Sequence, residues 1–159
     1  MKAICVTGTP ATGKTTLAKE LACALDFEYV DVNEVINNNP SVVVGIDDKL
    51  DTKEVDEDKL IPVLEEMIKK SKKRLVIDSH LSHWLPKKAV KICIVVKCDL
   101  KVIQDRLKER GYSAAKIKEN VNSEIFDVCL IEAVENGHKT LLVDTTEGYD
   151  INSVIGGLE

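Results

Sequence analysis

Apolar residues in this 159-residue chain gather into short continuous runs, separated by longer stretches in which apolar positions recur every three or four residues. The runs at 3–7, 27–30, 74–78, 92–97 and 140–144 are too continuous for half-exposed antiparallel strands, so each predicts a strand covered on both faces. The stretches between them predict helices near 14–25, 57–72, 99–110 and 114–135, and a short one near 150–157. Leu60, Leu64, Met67 and Ile68 make one stripe on the second helix, and Ile117, Val121, Ile125 and Val128 do the same on the fourth. Strand and helix alternate without a Gly/Ser linker, low-complexity tract or internal repeat. That pattern predicts one domain over 1–159, of α/β class, with five parallel strands between two helical layers. A ligand is then expected at the carboxyl ends of the strands.

The first run leads straight into Gly8-Thr9-Pro10-Ala11-Thr12-Gly13-Lys14-Thr15, which fills every position of G-x-x-x-x-G-K-[ST]. Between a strand and a helix this is a phosphate-binding loop, and it refines the fold class to a three-layer α/β/α P-loop NTPase fold. Glycines let consecutive backbone N–H groups turn inward around phosphate oxygens, and the helix beginning at the loop adds its positive dipole end. The segment Gly8 to Thr16 is therefore expected to cradle ATP. Lys14, exposed at the loop mouth, would reach the β- and γ-phosphates, and Thr15 would ligate Mg²⁺. The plain alternative is an ordinary glycine-rich strand-to-helix turn.

The third run ends in an acid, Leu75-Val76-Ile77-Asp78, followed by Ser79-His80. An acid in that place holds the Mg²⁺ shell or orients the attacking group, so Asp78 joins Thr15 as a candidate metal residue; a turn or cap aspartate is the bland reading. His80, two residues on, shares a face with Asp78 if the segment stays extended, where an imidazole orders a water or relays a proton near neutral pH. The pair His80/His83 lacks a cysteine or second acid at zinc spacing. Cations for the transferring phosphoryl group are expected from Arg106 and Arg110, at i and i+4 on one helical face ahead of the Gly111 break; Arg110 is also a candidate nucleotide contact. A solvated helix end is the alternative for both.

Composition narrows the setting. The chain is 44% hydrophobic with a net charge of -5, enough apolar residue for one core and unsuited to broad adhesion to nucleic acid, so no sequence-specific DNA partner is expected. Five cysteines without a C-x-x-C, mostly in apolar runs, read as buried reduced thiols and point to a reducing, cytoplasmic setting. No stretch approaches a membrane span, so no membrane partner is expected, and the first run is too short for a signal peptide. Residues 31–54 are acidic and broken at Asn37-Asn38-Asn39-Pro40, and read either as a flap over the ligand or as a solvated insertion. Asp56, Glu57 and Asp58 fit capping at a helix start. Lysines 69, 70, 72, 73 with Arg74, and lysines 87, 88 and 91, fit a helix end and an edge guard, with a binding role as the alternative. Val96-Lys97-Cys98-Asp99 approximates the guanine-reading N-K-x-D but lacks its asparagine, and no aspartate has a glycine three residues later, which argues against a GTP-binding switch.

Gly-Thr-Pro-x-x-Gly-Lys-Thr-Thr at 8–16, Val55-Asp56-Glu57-Asp58-Lys59, Asp78-x-His80, and Arg106-Leu107-x-x-Arg110-Gly111-Tyr112 with Lys116-Ile117 and Glu119-Asn120 together resemble the adenylate kinase isoenzyme 6 family, also called coilin-interacting nuclear ATPase homologues. The resemblance runs from residue 2 to about 135. It implies a nucleoside monophosphate kinase-like fold with an acceptor-binding segment at about 31–54 and a lid at about 109–119. It also implies phosphoryl transfer from ATP to AMP, slower ATP hydrolysis, and a role in maturing the small ribosomal subunit through ribosomal protein uS11. Ala11 replaces a glycine usual in the family's loop, a change a small Cβ tolerates at negative φ. Gly45-Ile46-Asp47-Asp48 lacks the family's aromatic, which loosens the inference to AMP.

Overall fold

A computed structural model describes all 159 residues. β1 (Ala3–Thr7) leads through the glycine-rich loop into α1 (Lys14–Leu25), and β2 (Glu28–Asp31) runs directly into α2 (Val32–Asn38). A 3₁₀ turn at Pro40–Val42 opens a hairpin of β3 (Val43–Asp47) and β4 (Thr52–Val55), followed by α3 (Glu57–Lys70) and β5 (Leu75–Asp78). A second 3₁₀ turn at Ser82–Trp84 precedes β6 (Val90–Lys97), α4 (Leu100–Glu109), α5 (Ala114–Ile125), α6 (Val128–Glu135), β7 (Thr140–Asp144) and α7 (Ile151–Gly156). The expected five strands form one parallel sheet in the order β2-β5-β1-β6-β7, so β1 and its loop lie at the centre.

Alternate residues of the central strands feed two cores. Cys5, Ile77 and Val95 pack under α3 and α6 with Leu60, Leu64 and Ala133, while Ile4, Val76 and Ile94 pack under α1 and α7 with Leu17, Leu21 and Val154. Burial of each such leucine contributes about 2 kcal/mol. Asp56 caps α3 by accepting from Asp58 N at 3.0 Å, which gives that acid the structural role its position predicts.

The chain departs from its periodicity in two places. The predicted helix over 114–135 is two helices, because Asp127 turns left-handed at φ 50° and its carboxylate, with that of Glu124, is held by Lys97 at the end of β6. The stripe expected on the fourth helix is broken with it: Ile117 is buried, but Ile125 is 50% exposed. The second departure is the β3/β4 hairpin, which starts in the acidic segment 31–54 and ends at Val55, where no strand was expected. The N-N-N-P sequence does stop α2 at Asn38, as its turn chemistry predicts.

Candidate functional site

The site forms where β1 turns into α1. Gly8 has φ 148°, and a Cβ there would lie 2.6 Å from the Val96 carbonyl oxygen, so the first loop position needs the close backbone approach that glycine allows. Thr12 Oγ1 donates to the Thr9 carbonyl at 2.8 Å, and both threonines are buried, so their side chains brace the loop from within. Thr145, just past β7, donates to the Thr12 carbonyl and braces it from outside. Pro10 is half-buried between them, Gly13 at φ 89° starts α1, and Thr16 is exposed on its first turn.

Ala11 corrects one expectation. Its φ is 69°, so it occupies the left-handed conformation rather than a negative φ, at a cost of about 1 kcal/mol relative to glycine. The offset is visible in its packing: the methyl is buried against Cys98, Ile103, Leu107 and Ile117 of the α4/α5 region. Arg106 closes the same contact, donating from Nη1 to the Ala11 carbonyl at 3.0 Å. Tyr112 and Val121 extend this small core, which docks α4 and α5 on the loop.

Lys14 is half-buried rather than exposed. Loss of hydration lowers its pKa, Asp78 and Asp31 oppose that, and Arg110 adds to the lowering. Arg106 reaches the loop through its hydrogen bond, whereas Arg110, at the C-cap of α4, is exposed and its side chain makes no hydrogen bond or ion pair.

Asp78 is 5% exposed at the end of β5, and the Thr15 hydroxyl donates to its Oδ2 at 2.7 Å. The two candidate metal residues are therefore in contact across the loop. A buried carboxylate beside a threonine hydroxyl is an oxygen donor pair of the kind hard Mg²⁺ takes, so these residues fit that ion. Tyr29, which lies in no motif, donates to the same oxygen at 2.9 Å. Loss of hydration and then the Asp78 carboxylate hold that phenol well above its ordinary pKa, leaving a neutral donor.

His80 does not continue the strand. β5 ends at Asp78 and His80 stands in a turn with a solvent-exposed face, so the shared-face argument does not hold. The Lys14 charge still acts on it. Protein atoms crowding the rest of the ring, then the Lys14 ammonium and His83, lower its pKa to about 4. The imidazole is therefore neutral at pH 7.

His83 serves the fold. Its ring is buried, with Nδ1 bonded to Thr7 Oγ1 at 2.8 Å and Nε2 to Glu132 at 2.8 Å, and its carbonyl accepts from His138 and Asn136. No group of three His, Cys, Asp or Glu residues is arranged to hold a metal ion. Cys5, Cys93, Cys98 and Cys129 are buried free thiols, while Cys23 is exposed. Burial pushes Cys93 up to about 12 and raises Cys5 and Cys129, so these thiols are inert.

Lys97 and Asp99, which approximate the guanine-reading motif, are consumed structurally. Burial works against the Lys97 charge, but Asp127 and Glu124 outweigh it and raise its pKa, while Asp99 caps α4 through Lys101 N at 2.9 Å. Lys116, within 109–119, donates to the Asp51 carbonyl at 3.1 Å, so the segments expected as lid and acceptor flap touch. Neither Thr145 nor the Lys116–Asp51 contact has a sequence signal, because both depend on pairings across the fold.

The AAA domain family matches residues 4–127. A Thermococcus onnurineus protein provisionally named an adenylate kinase is 42% identical over 144 residues, covering 90% of this chain and 74% of its own length. The Schizosaccharomyces pombe adenylate kinase isoenzyme 6 homolog is 36% identical over 141 residues, covering 89% and 79%. Among solved structures, shikimate kinase from Acinetobacter baumannii superposes with a TM-score of 0.66 at 16% identity, covering 99% of this chain and 92% of that one, a likeness of fold. No helix is long and apolar enough to cross a membrane.

Proposed function

This chain belongs to the adenylate kinase isoenzyme 6 family, and on that premise we propose that it transfers the γ-phosphoryl group of ATP to AMP. The observation that carries the reading is the Thr15–Asp78 contact at the loop, a threonine hydroxyl bonded to a buried carboxylate, the oxygen pair on which a phosphoryl-transfer site would hold its metal. An α-phosphate oxygen of AMP attacks the γ-phosphorus, the bond to the β-bridging oxygen breaks, and two ADP leave. When water attacks instead, ADP and phosphate form, which is the slower hydrolysis we assign to the same pocket.

Backbone N–H groups of Gly8 to Thr16 and the Lys14 ammonium bind the donor phosphates. Arg106 and Arg110 neutralise charge that develops on the phosphoryl group in flight, and stabilisation of that kind is worth several kcal/mol in a dry site. Thr15 and Asp78 would hold a Mg²⁺, which when bound neutralises the β- and γ-oxygens. Neutral His80 accepts a hydrogen bond and so positions an attacking water near Lys14. The segment 31–54 takes the acceptor and 109–119 closes over the donor. Incubation with Mg²⁺, ATP and AMP, followed by separation of nucleotides, tests the reading: ADP must form at twice the rate of AMP loss.

A second reading is favoured by surface charge. Lys69 and Lys72 are exposed and form no ion pair, whereas Lys70 and Lys73 pair with Glu66 and Asp26. Such free cations on an acidic chain suit a cytoplasmic assembly factor that contacts pre-ribosomal particles through uS11, its binding timed by ATP hydrolysis. Capture of small-subunit components from native extract, changing with nucleotide, supports that role; capture of none rejects it.

A further inference from the structure

We propose that Tyr29 is a positioning residue for phosphoryl transfer, its hydroxyl fixing the rotamer of Asp78 so that one carboxylate oxygen is committed to the protein and the other faces the reaction. The inference rests on the kinase reading above. Tyr29 and Asp31 alternate along the edge strand β2, and Val76 and Asp78 alternate beside them on β5 in the register Tyr29↔Val76 and Asp31↔Asp78. All four side chains consequently point to the same face, the one that α1 and Thr15 cover. Asp78 Oδ2 accepts from both Thr15 at 2.7 Å and Tyr29 at 2.9 Å, whereas Oδ1 accepts from no protein group. A carboxylate on a short side chain has a broad terminal torsion, and two donors converging on one oxygen remove that freedom.

The neighbouring groups leave Tyr29 as the second donor. Asp31 lies across from Asp78 but its own carboxylate caps α2, accepting from Asn33 N at 2.8 Å. Thr15 alone would be a weak guide, because a metal ion draws on the same hydroxyl oxygen. The Tyr29 ring is held independently, half-buried against the α1-side core with the Lys19 ammonium 5.3 Å from its centroid. Position is thus supplied by the ring and orientation by the hydroxyl, and the two can be separated by one substitution.

Tyr29→Phe keeps the ring and removes only the hydroxyl. It should lower kcat about tenfold, the weight of one hydrogen bond to a charged group, with KM for ATP within about twofold and a melting temperature near that of the parent. The Mg²⁺-dependent gain in affinity for a non-hydrolysable ATP analogue, read by calorimetry, should shrink about fivefold, a readout independent of turnover. In an Asp78→Asn background the Tyr29→Phe effect on both quantities should largely vanish, since the hydroxyl acts through that carboxylate. Unchanged kcat and unchanged Mg²⁺ linkage would overturn the assignment, as would a loss that merely tracks a lowered melting temperature or persists undiminished in Asp78→Asn. If the parent protein makes no ADP from AMP, the kinase reading fails separately, and the calorimetric arm still decides the role of Tyr29.

Discussion

Arg106 donates a 3.0 Å hydrogen bond to the carbonyl of Ala11, joining α4 to the phosphate loop across 95 residues of sequence. The same alanine buries its methyl in the α4/α5 core, so the loop and the segment expected as a lid share one backbone position. Part of the guanidinium is spent on this contact while the remaining N–H groups stay available to phosphate.

Arg106→Lys should therefore rescue little. A lysine cannot hold the carbonyl and present a planar fork at once, so Arg106→Ala and Arg106→Lys should both lose on the order of a hundredfold in kcat for transfer from ATP to AMP. Steady-state kinetics check this, and a lysine variant within threefold of the parent contradicts it.

Lys14→Ala should remain folded and lose on the order of a hundredfold or more in turnover. Lys14 is half-buried but its charge is disfavoured there by lost hydration and by Arg110, so its removal costs the fold little. Circular dichroism and a turnover assay on the same preparation separate the two effects.

Gly8→Ala should damage both stability and binding. The new Cβ would meet the Val96 backbone carbonyl oxygen at 2.6 Å, a group that cannot swing aside, and the left-handed φ adds strain. A loss of about 2 kcal/mol in urea unfolding is expected, together with loss of ATP binding.

These outcomes bear on what the chain discloses before it folds. The parallel sheet was legible because its strands are buried on both faces and read as continuous apolar runs. The phosphate loop was legible because its fixed positions lie together in one short motif, although the close approach that Gly8 allows is to Val96 on β6. Asp78 was found by its place after such a run. Tyr29 was not, since nothing in Glu28-Tyr29-Val30 shows that β2 lies beside β5 and brings the phenol to Asp78. The helix break at Asp127 is hidden for the same reason, being fixed by Lys97, 30 residues away in sequence. Ala11 was misjudged because the strain of its φ is local while the compensating methyl contact is not.

His80 gives a pH signature with a defined sign. Its folded pKa, about 4, lies below the ordinary histidine value near 6.5, so the unfolded chain binds a proton first as pH falls. Stability should be unaffected by this group above 6.5 and should decline as pH drops from 6.5 toward 4. His80→Gln should flatten that part of the curve in denaturant titrations at stepped pH. His80→Ala should also slow ATP hydrolysis more than AMP phosphorylation, because AMP brings its own nucleophile; equal losses remove the water-positioning role.

The loop, Thr15–Asp78 and the two arginines are proposed to transfer a phosphoryl group between nucleotides. Product analysis with Mg²⁺, ATP and each nucleoside monophosphate in turn tests it most directly. The account predicts ADP from AMP well above the hydrolytic background, with AMP preferred over GMP, CMP and UMP and ATP preferred over GTP as donor. Release of phosphate at one rate whether or not any monophosphate is present, with no AMP consumed, would contradict it.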